Sequence, residues 1–333
     1  MQKYTISFFL IIFCFYSYAI IPPKTGIKPP KSFVEFHKMI QGEYSKGYFA
    51  QKFNERKETR EKISNGLSNK ILEQDTVSAL TLLGQYSNLP AGYSQQDFQN
   101  LLFNGPNPTG TITDYYSEVS YNQLLFTGTC NGWYNMPRTL EEYTGTNSGL
   151  GTQGGPRFVL DIITIADSTI DYSDYIQYYD DQNKPHIGFI AVVHSGADAA
   201  AGAFNIWSHR WSFTVITNGQ PYISNDIDPV SGQNVIIDGD YAIQPERSGS
   251  NNSSGSLISI GVFAHEFGHI FGLPDLYDTD NSSEGLGNWC LMAGGAYGGN
   301  SSTAHTTVHM SAWCKKELGW VTPINITSSM NSL

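Results

Sequence analysis

His265 and His269 stand four residues apart, with Glu266 directly after the first. On a helix, positions four apart project from one face a turn from each other. Their imidazoles can then share a single zinc ion at about 2.0–2.1 Å per bond. Glu266 falls beside the metal rather than on it, where it can take a proton from a metal-bound water whose pKa has dropped towards about 7. The H-E-x-x-H spacing therefore encodes two ligands and a general base for metal-assisted hydrolysis. The same spacing recurs in unrelated helices, so its neighbours carry weight. Gly272 can take the left-handed conformation that ends the helix and reverses the chain. Asp275 follows ten residues after His265, an interval at which a third ligand can rejoin the metal. Asp278 is near enough to compete with it. Met292, within Leu291-Met292-Ala293-Gly294, stands where a methionine turn would underlie the metal.

These residues need a frame. A Ser/Gly/Asn-rich loop precedes the run Leu257 to Phe271, and Ser256 or Ser259 can cap a helix there. Gly272, with Pro274 two residues on, stops it. Ile187 to His194 is a continuous β-branched run that predicts a central, fully buried strand. Val77 to Leu83 predicts another, and the catalytic unit starts near it. Trp211 to Ile216 and Tyr241 to Gln244 predict two more, whereas Phe158 to Ala166 favours a helix. The stretch Phe33 to Glu73 is charged and helix-prone, and a last helix is expected from about Val308 to Leu318. Ile21 to Pro30, rich in Pro and Lys, predicts an extended linker. No internal repeat is evident.

Composition narrows the class. The net charge is −11, and no run of Lys or Arg stands out. Such a chain lacks the electrostatic footprint of a nucleic-acid binder. With 40% hydrophobic and 15% charged residues, it is too apolar for a disordered chain. Residues 1–19 combine Lys3, an apolar run from Ile6 to Tyr16, and small residues at Ser17-Tyr18-Ala19. The run is shorter than the roughly 20 residues a membrane span needs, and it predicts a cleaved secretory signal. Secretion, with no membrane association after cleavage, is the expectation. Cys130, Cys290 and Cys314 then remain, with Cys290 and Cys314 the more plausible pair.

The segment His265 to Asp278, HEFGHIFGLPDLYD, resembles the zinc motif of the immune inhibitor A family of bacterial metallopeptidases. Further segments resemble the same family in order: Asp114-Tyr115-Tyr116, Ile206-Trp207-Ser208-His209, Gln244-Pro245-Glu246, Gly287-Asn288-Trp289, and His309 through Val321. The likeness spans roughly residues 76 to 322. It implies an α+β, metzincin-like zincin fold: a twisted mixed sheet, a backing helix, an active-site helix above a cleft, and a smaller irregular C-terminal subdomain. It also implies His265, His269 and Asp275 as zinc ligands, Glu266 as base and Met292 as the methionine-turn residue. Residues 1–19 would be the signal, 20–75 a propeptide or linker, 76–322 the catalytic domain, and 323–333 a polar tail or the start of a further domain.

The function expected is a secreted zinc endopeptidase acting on protein or peptide substrates; the alternative is a zincin-shaped binding module without turnover. The substrate would add to the sheet edge near Tyr241 to Gln244. Tyr297, His305 and His309 are candidates for a second group that holds the oxyanion. His209 and Glu246 suit packing or capping. Asp171, Asp174, Asp180 and Asp181 raise a calcium site, but Lys184 and Pro185 interrupt the ligand spacing, which favours a solvated acidic turn. No cysteine lies between residues 20 and 129, so a propeptide would have to block the zinc by a carboxylate or by occlusion.

Overall fold

Ile187 to Val193, apolar at every position except Gly188, forms the heart of a longer strand that is buried almost throughout. In the computed structural model, which describes residues 20–40, 47–278, 283, 285–299 and 306–324, this strand is β4 (Pro185–Ala197). It lies parallel between β1 (Asp75–Gln85) and β7 (Asn234–Arg247). The path of the seven-stranded sheet continues outward to β2 (Leu124–Asn135) on one side and to β5 (His209–Ser212) on the other. Only β5 on that path is antiparallel to its neighbour. The short β3 (Tyr178–Tyr179) joins β4, and β6 (Tyr222–Ile227) joins β7, both antiparallel. A mixed sheet with helices on its faces is the expected α+β architecture.

Three expectations change. Tyr241 to Gln244 is not an edge, because β7 pairs with β4 on one side and β5 on the other; the outermost strand beside it is β5. The stretch from Trp211 splits, since Ser212 accepts a hydrogen bond from the Thr214 amide and turns Phe213–Ile216 into a 3-10 helix. Cys290 and Cys314 are neighbouring free thiols with sulfurs 3.8 Å apart, nearly twice a disulfide bond of about 2.05 Å.

The helix Gly155–Ala166 backs the sheet, with Phe158 and Ile162 flush against Gly84 of β1. On the opposite face lies the helix Ile260–Ile270, buried along its whole length. Phe267 stacks on Phe126 of β2 at 5.0 Å and meets Phe189 of β4 at 6.0 Å. Phe271 rests on Phe126, Tyr116 and Phe53, so the helix Tyr48–Ser64, which carries Phe53, is packed into the same core. Arg56 of that helix forms a 2.7 Å ion pair with Asp75 at the start of β1. The expected last helix is shorter, Ala312–Glu317, because Ser311 caps it by accepting from the Cys314 amide.

Phe126 thus ties the sheet to the helix that carries both histidines. Phe126→Ala removes a fully buried aromatic and should cost about 3–5 kcal/mol. Urea unfolding would show it as a lower midpoint at unchanged slope.

Candidate active site

The helix Ile260–Ile270 ends by a backbone device. Gly272 takes φ +92; its amide donates to His269 O and that of Leu273 to Gly268 O. This pair of bonds is a Schellman ending. It turns the chain under the helix and delivers Asp275 to the face that bears His265 and His269. Gly268 lets the floor approach, since a Cβ there would sit 2.5 Å from Met292 Sδ. The segment around Met292 is itself pinned, with the Leu276 amide donating to its carbonyl at 2.6 Å.

His265, His269 and Asp275 are wholly buried. The two Nε2 atoms are 3.0 Å apart, and Asp275 Oδ1 lies 2.9 Å from His265 Nε2 and 3.3 Å from His269 Nε2. Donors bound tetrahedrally at 2.0–2.1 Å are separated by about 3.3 Å, so the triangle fits one metal ion. Each Nδ1 faces a backbone carbonyl, that of Leu291 at 2.9 Å and that of Leu273 at 2.7 Å. Those bonds take up the N–H and leave the Nε2 lone pairs turned inward, the usual arrangement behind a ligating histidine. Among the described residues, Asp275 Oδ1 has no hydrogen-bond donor. Asp278, the rival, accepts instead from the Ser283 amide. Among the described residues, these three form the only group of His, Cys, Asp or Glu placed to hold an ion together. The carboxylates from Asp171 to Asp181 do not converge; Asp180 caps its own turn through the amides of Gln182 and Lys184 and pairs with His186.

Burial sets the electrostatics. It pushes the His265 imidazole down to about 4, and it lowers that of His269 despite the Asp275 charge beside it. It raises Asp275 to about 7, against the pull of His269, and lifts Glu266 well above the carboxylate range, with Asp275 adding to the rise. Every one of these shifts opposes charge in an unmetallated pocket, and a dication is the group that relieves all of them.

The cleft over these residues holds a strand of the chain itself. Ile20 forms an antiparallel bridge with His209 of β5. The Ile20 amide donates to Asp275 Oδ2 at 3.1 Å, and the Ile21 amide donates to Glu266 Oε1 at 3.0 Å. The Ile20 carbonyl lies against His265 and accepts from Tyr277 Oη at 2.7 Å. Trp207 Nε1 donates to Ile21 O at 2.9 Å, and Tyr297 Oη to Pro22 O at 2.8 Å. Helix Ser32–Ile40 clamps the approach, with Phe33 against Trp207 and Phe36 against Trp211. Ile21 to Pro30, expected as an extended linker, is extended where it enters the cleft, and Ile21 and Pro22 are buried there together with Ile20 before them.

The remaining sequence candidates separate. Tyr297 reaches the cleft strand. His309 is half-exposed and pairs with Glu118 at 2.7 Å rather than with the buried triangle. His305 lies outside the described residues. Glu246 gathers the amides of Gly92, Tyr93 and Gly196, the capping role expected of it. Tyr277 and Trp207 are not singled out as site residues by the sequence reading, although both lie in segments that resemble the family: Tyr277 two residues beyond Asp275 in the zinc-motif segment, and Trp207 in Ile206-Trp207-Ser208-His209.

Comparison with known proteins gives a consistent match. Residues 58–321 match the sequence family described as immune inhibitor A peptidase M6, catalytic domain. Immune inhibitor A of Bacillus thuringiensis subsp. alesti is 31% identical over 214 residues, 57% of this chain and 29% of that protein. The pre-pro-metalloprotease PrtV of Vibrio cholerae serotype O1 is 30% identical over 253 residues, 68% of this chain and 26% of that protein. The chain therefore spans less than a third of either relative's length. No helix among the described residues is long and apolar enough to cross a membrane.

His209, on the strand that borders the cleft, gives a pH test. Its Nδ1 donates to Trp207 O and its Nε2 accepts from Tyr241 Oη, and burial lowers its pKa to about 4. A pKa depressed below the unfolded value of about 6.5 means stability present above pH 6.5 and lost as pH falls towards 4. Between pH 7 and 4.5 this should remove about 2–3 kcal/mol. Denaturant midpoints at the two pH values, in chelator, should fall less for His209→Gln than for the wild type.

Proposed function

We propose that this chain, which belongs to the immune inhibitor A peptidase M6 family, is a secreted zinc-dependent endopeptidase whose cleft is closed by its own N-terminal strand. One observation carries the reading: the Ile20–Ile21 peptide bond lies across the buried triangle with its carbonyl on Tyr277 and its nitrogen on Glu266. That is the arrangement a scissile bond requires. Bound by His265, His269 and Asp275, zinc supplies carbonyl polarisation and a water of lowered pKa. Glu266 takes the proton of the attacking water and hands it to the departing nitrogen, the atom at which Ile21 N stands. Tyr277 Oη donates to the carbonyl oxygen as it gains negative charge. β5 offers its free edge to the substrate backbone, and Trp207 and Tyr297 fix the carbonyls that follow.

Residues 20–31, with the helix Ser32–Ile40, act as the occluding part of a propeptide. Removal of the signal after Ala19 would leave Ile20 as the first residue, its amide then an α-amine still facing Asp275 Oδ2, and the cleft would keep the strand from the scissile position onward. Latency by occlusion matches the absence of cysteine from this segment.

Thr25, Gly26 and Lys28 are exposed, so a specific protease site placed over residues 25–30 can be cut after folding. The nicked, zinc-loaded chain should hydrolyse casein and the uncut chain should not. Chelator should abolish the activity and zinc restore it. Glu266→Ala should lower it about 10²–10⁴-fold, and Tyr277→Phe should lower kcat about 10²-fold with little change in KM. A folded, nicked, zinc-loaded chain that cleaves nothing would favour the binding-module alternative.

A further inference from the structure

The strand in the cleft is also a picture of what the cleft accepts, and Lys24 is its most informative residue. Asp198, directly after β4, is wholly buried. Its Oδ1 accepts from the Ala200 amide at 2.9 Å and caps the turn Ala199–Ala201. Among the described residues, its Oδ2 has no hydrogen-bond donor. Capping a turn needs one oxygen, and Asn or Ser would do it without burying a charge. A buried carboxylate oxygen left without a donor is costly unless a cation comes to it.

The cation that comes is Lys24. Its Nζ is 3.8 Å from Asp198 Oδ2 and 5.1 Å from the centre of the Tyr297 ring. The Lys24 amide donates to Ala200 O at 2.9 Å, which sets the side chain over the carboxylate. Tyr297 holds the Pro22 carbonyl with its hydroxyl while its ring faces the ammonium. One residue thus registers the peptide backbone and flanks the charged side chain, and a cation over an aromatic face is itself attractive.

We propose that Asp198 and Tyr297 form a subsite for a basic side chain, four residues beyond the scissile bond on its C-terminal side, so that the cleft selects peptides with Lys or Arg there. Ile21 is the first residue past that bond, Pro22 the second, Pro23 the third and Lys24 the fourth. The inference rests on the proposal that the strand lies as a substrate lies. The chemistry recognised is an extended peptide, apolar across the cut and cationic at the fourth place.

The test uses the nicked full chain and three peptides identical except for Lys, Met or Glu at that place. The Lys peptide should show a kcat/KM about tenfold above the Met peptide, and the Glu peptide should be poorer still. In Asp198→Asn, which keeps the Oδ1 cap, the Lys-to-Met ratio should fall towards one, with an unchanged melting temperature showing that the variant folds. A wild-type ratio near one, or a ratio that survives Asp198→Asn, overturns the subsite while leaving the peptidase standing. If nothing is cleaved, fluorescence anisotropy of the same labelled peptides on the nicked chain decides: tighter binding of the Lys peptide upholds the subsite although the peptidase proposal has failed, and equal binding overturns it. Should Asp198→Asn not fold, the wild-type ratio decides alone.

Discussion

Two imidazoles and a carboxylate are held within about 3.3 Å of one another and wholly buried, and the rest of the structure serves that placement. In an apolar interior such a set is expensive unless a cation or a fixed pattern of donors compensates it. Backbone geometry does most of the fixing. The carbonyls of Leu291 and Leu273 orient the rings, and Gly272 makes the turn that brings Asp275 back. Neither carbonyl lies in regular secondary structure. The irregular subdomain after the helix is therefore the wall that holds the donor set in place, and not a loose appendage. Its contact with the helix is close, because Gly268 offers no side chain to keep Met292 away.

The same wall bears on the N-terminal strand. Ile20 and Ile21 give one amide each to Asp275 and Glu266, so the strand quiets the two carboxylates that burial makes hardest to ionise. Its carbonyls are taken by Tyr277, Trp207 and Tyr297. Prolines follow at 22 and 23, and proline lacks the N–H that a longer ladder against β5 would use. The segment is held by a few directed bonds at its start and one ion pair at its end, with side-chain packing from Phe33 and Phe36 behind it.

Much of this is legible in the sequence where one local pattern carries both fold and chemistry. His265, Glu266, His269 and Gly272 are readable because helical spacing and a helix stop are short-range signals. The run through Ile190 declares a buried strand by composition alone. The misses have a common cause. Tyr241 to Gln244 reads as an edge strand in isolation, and only its pairing on both sides places it inside the sheet. β2 is hidden because Gly128, Cys130 and Gly132 interrupt its pattern. Gly128 is there because a Cβ would meet Ala79 O at 2.4 Å, a requirement of the neighbouring strand that is invisible along the chain. Trp207 and Tyr277 act through side chains directed at backbone carbonyls 186 and 257 residues away, and no local pattern encodes that.

Ile20-Ile21-Pro22-Pro23-Lys24 shows how composition can mislead about place. Proline and lysine together suggest an extended linker, yet the two isoleucines are buried without exposure. An apolar pair ahead of a proline pair needs a home, and the sheet edge at β5 with the pocket over Glu266 is extended and supplied with carboxylate acceptors. Shape, polarity and hydrogen-bond direction all match a peptide chain laid antiparallel to β5. For a cleft that receives peptides, as proposed, the nearest one is the chain's own strand at Ile20 and Ile21. On the proposed function, latency and substrate recognition would be one interaction seen with two occupants.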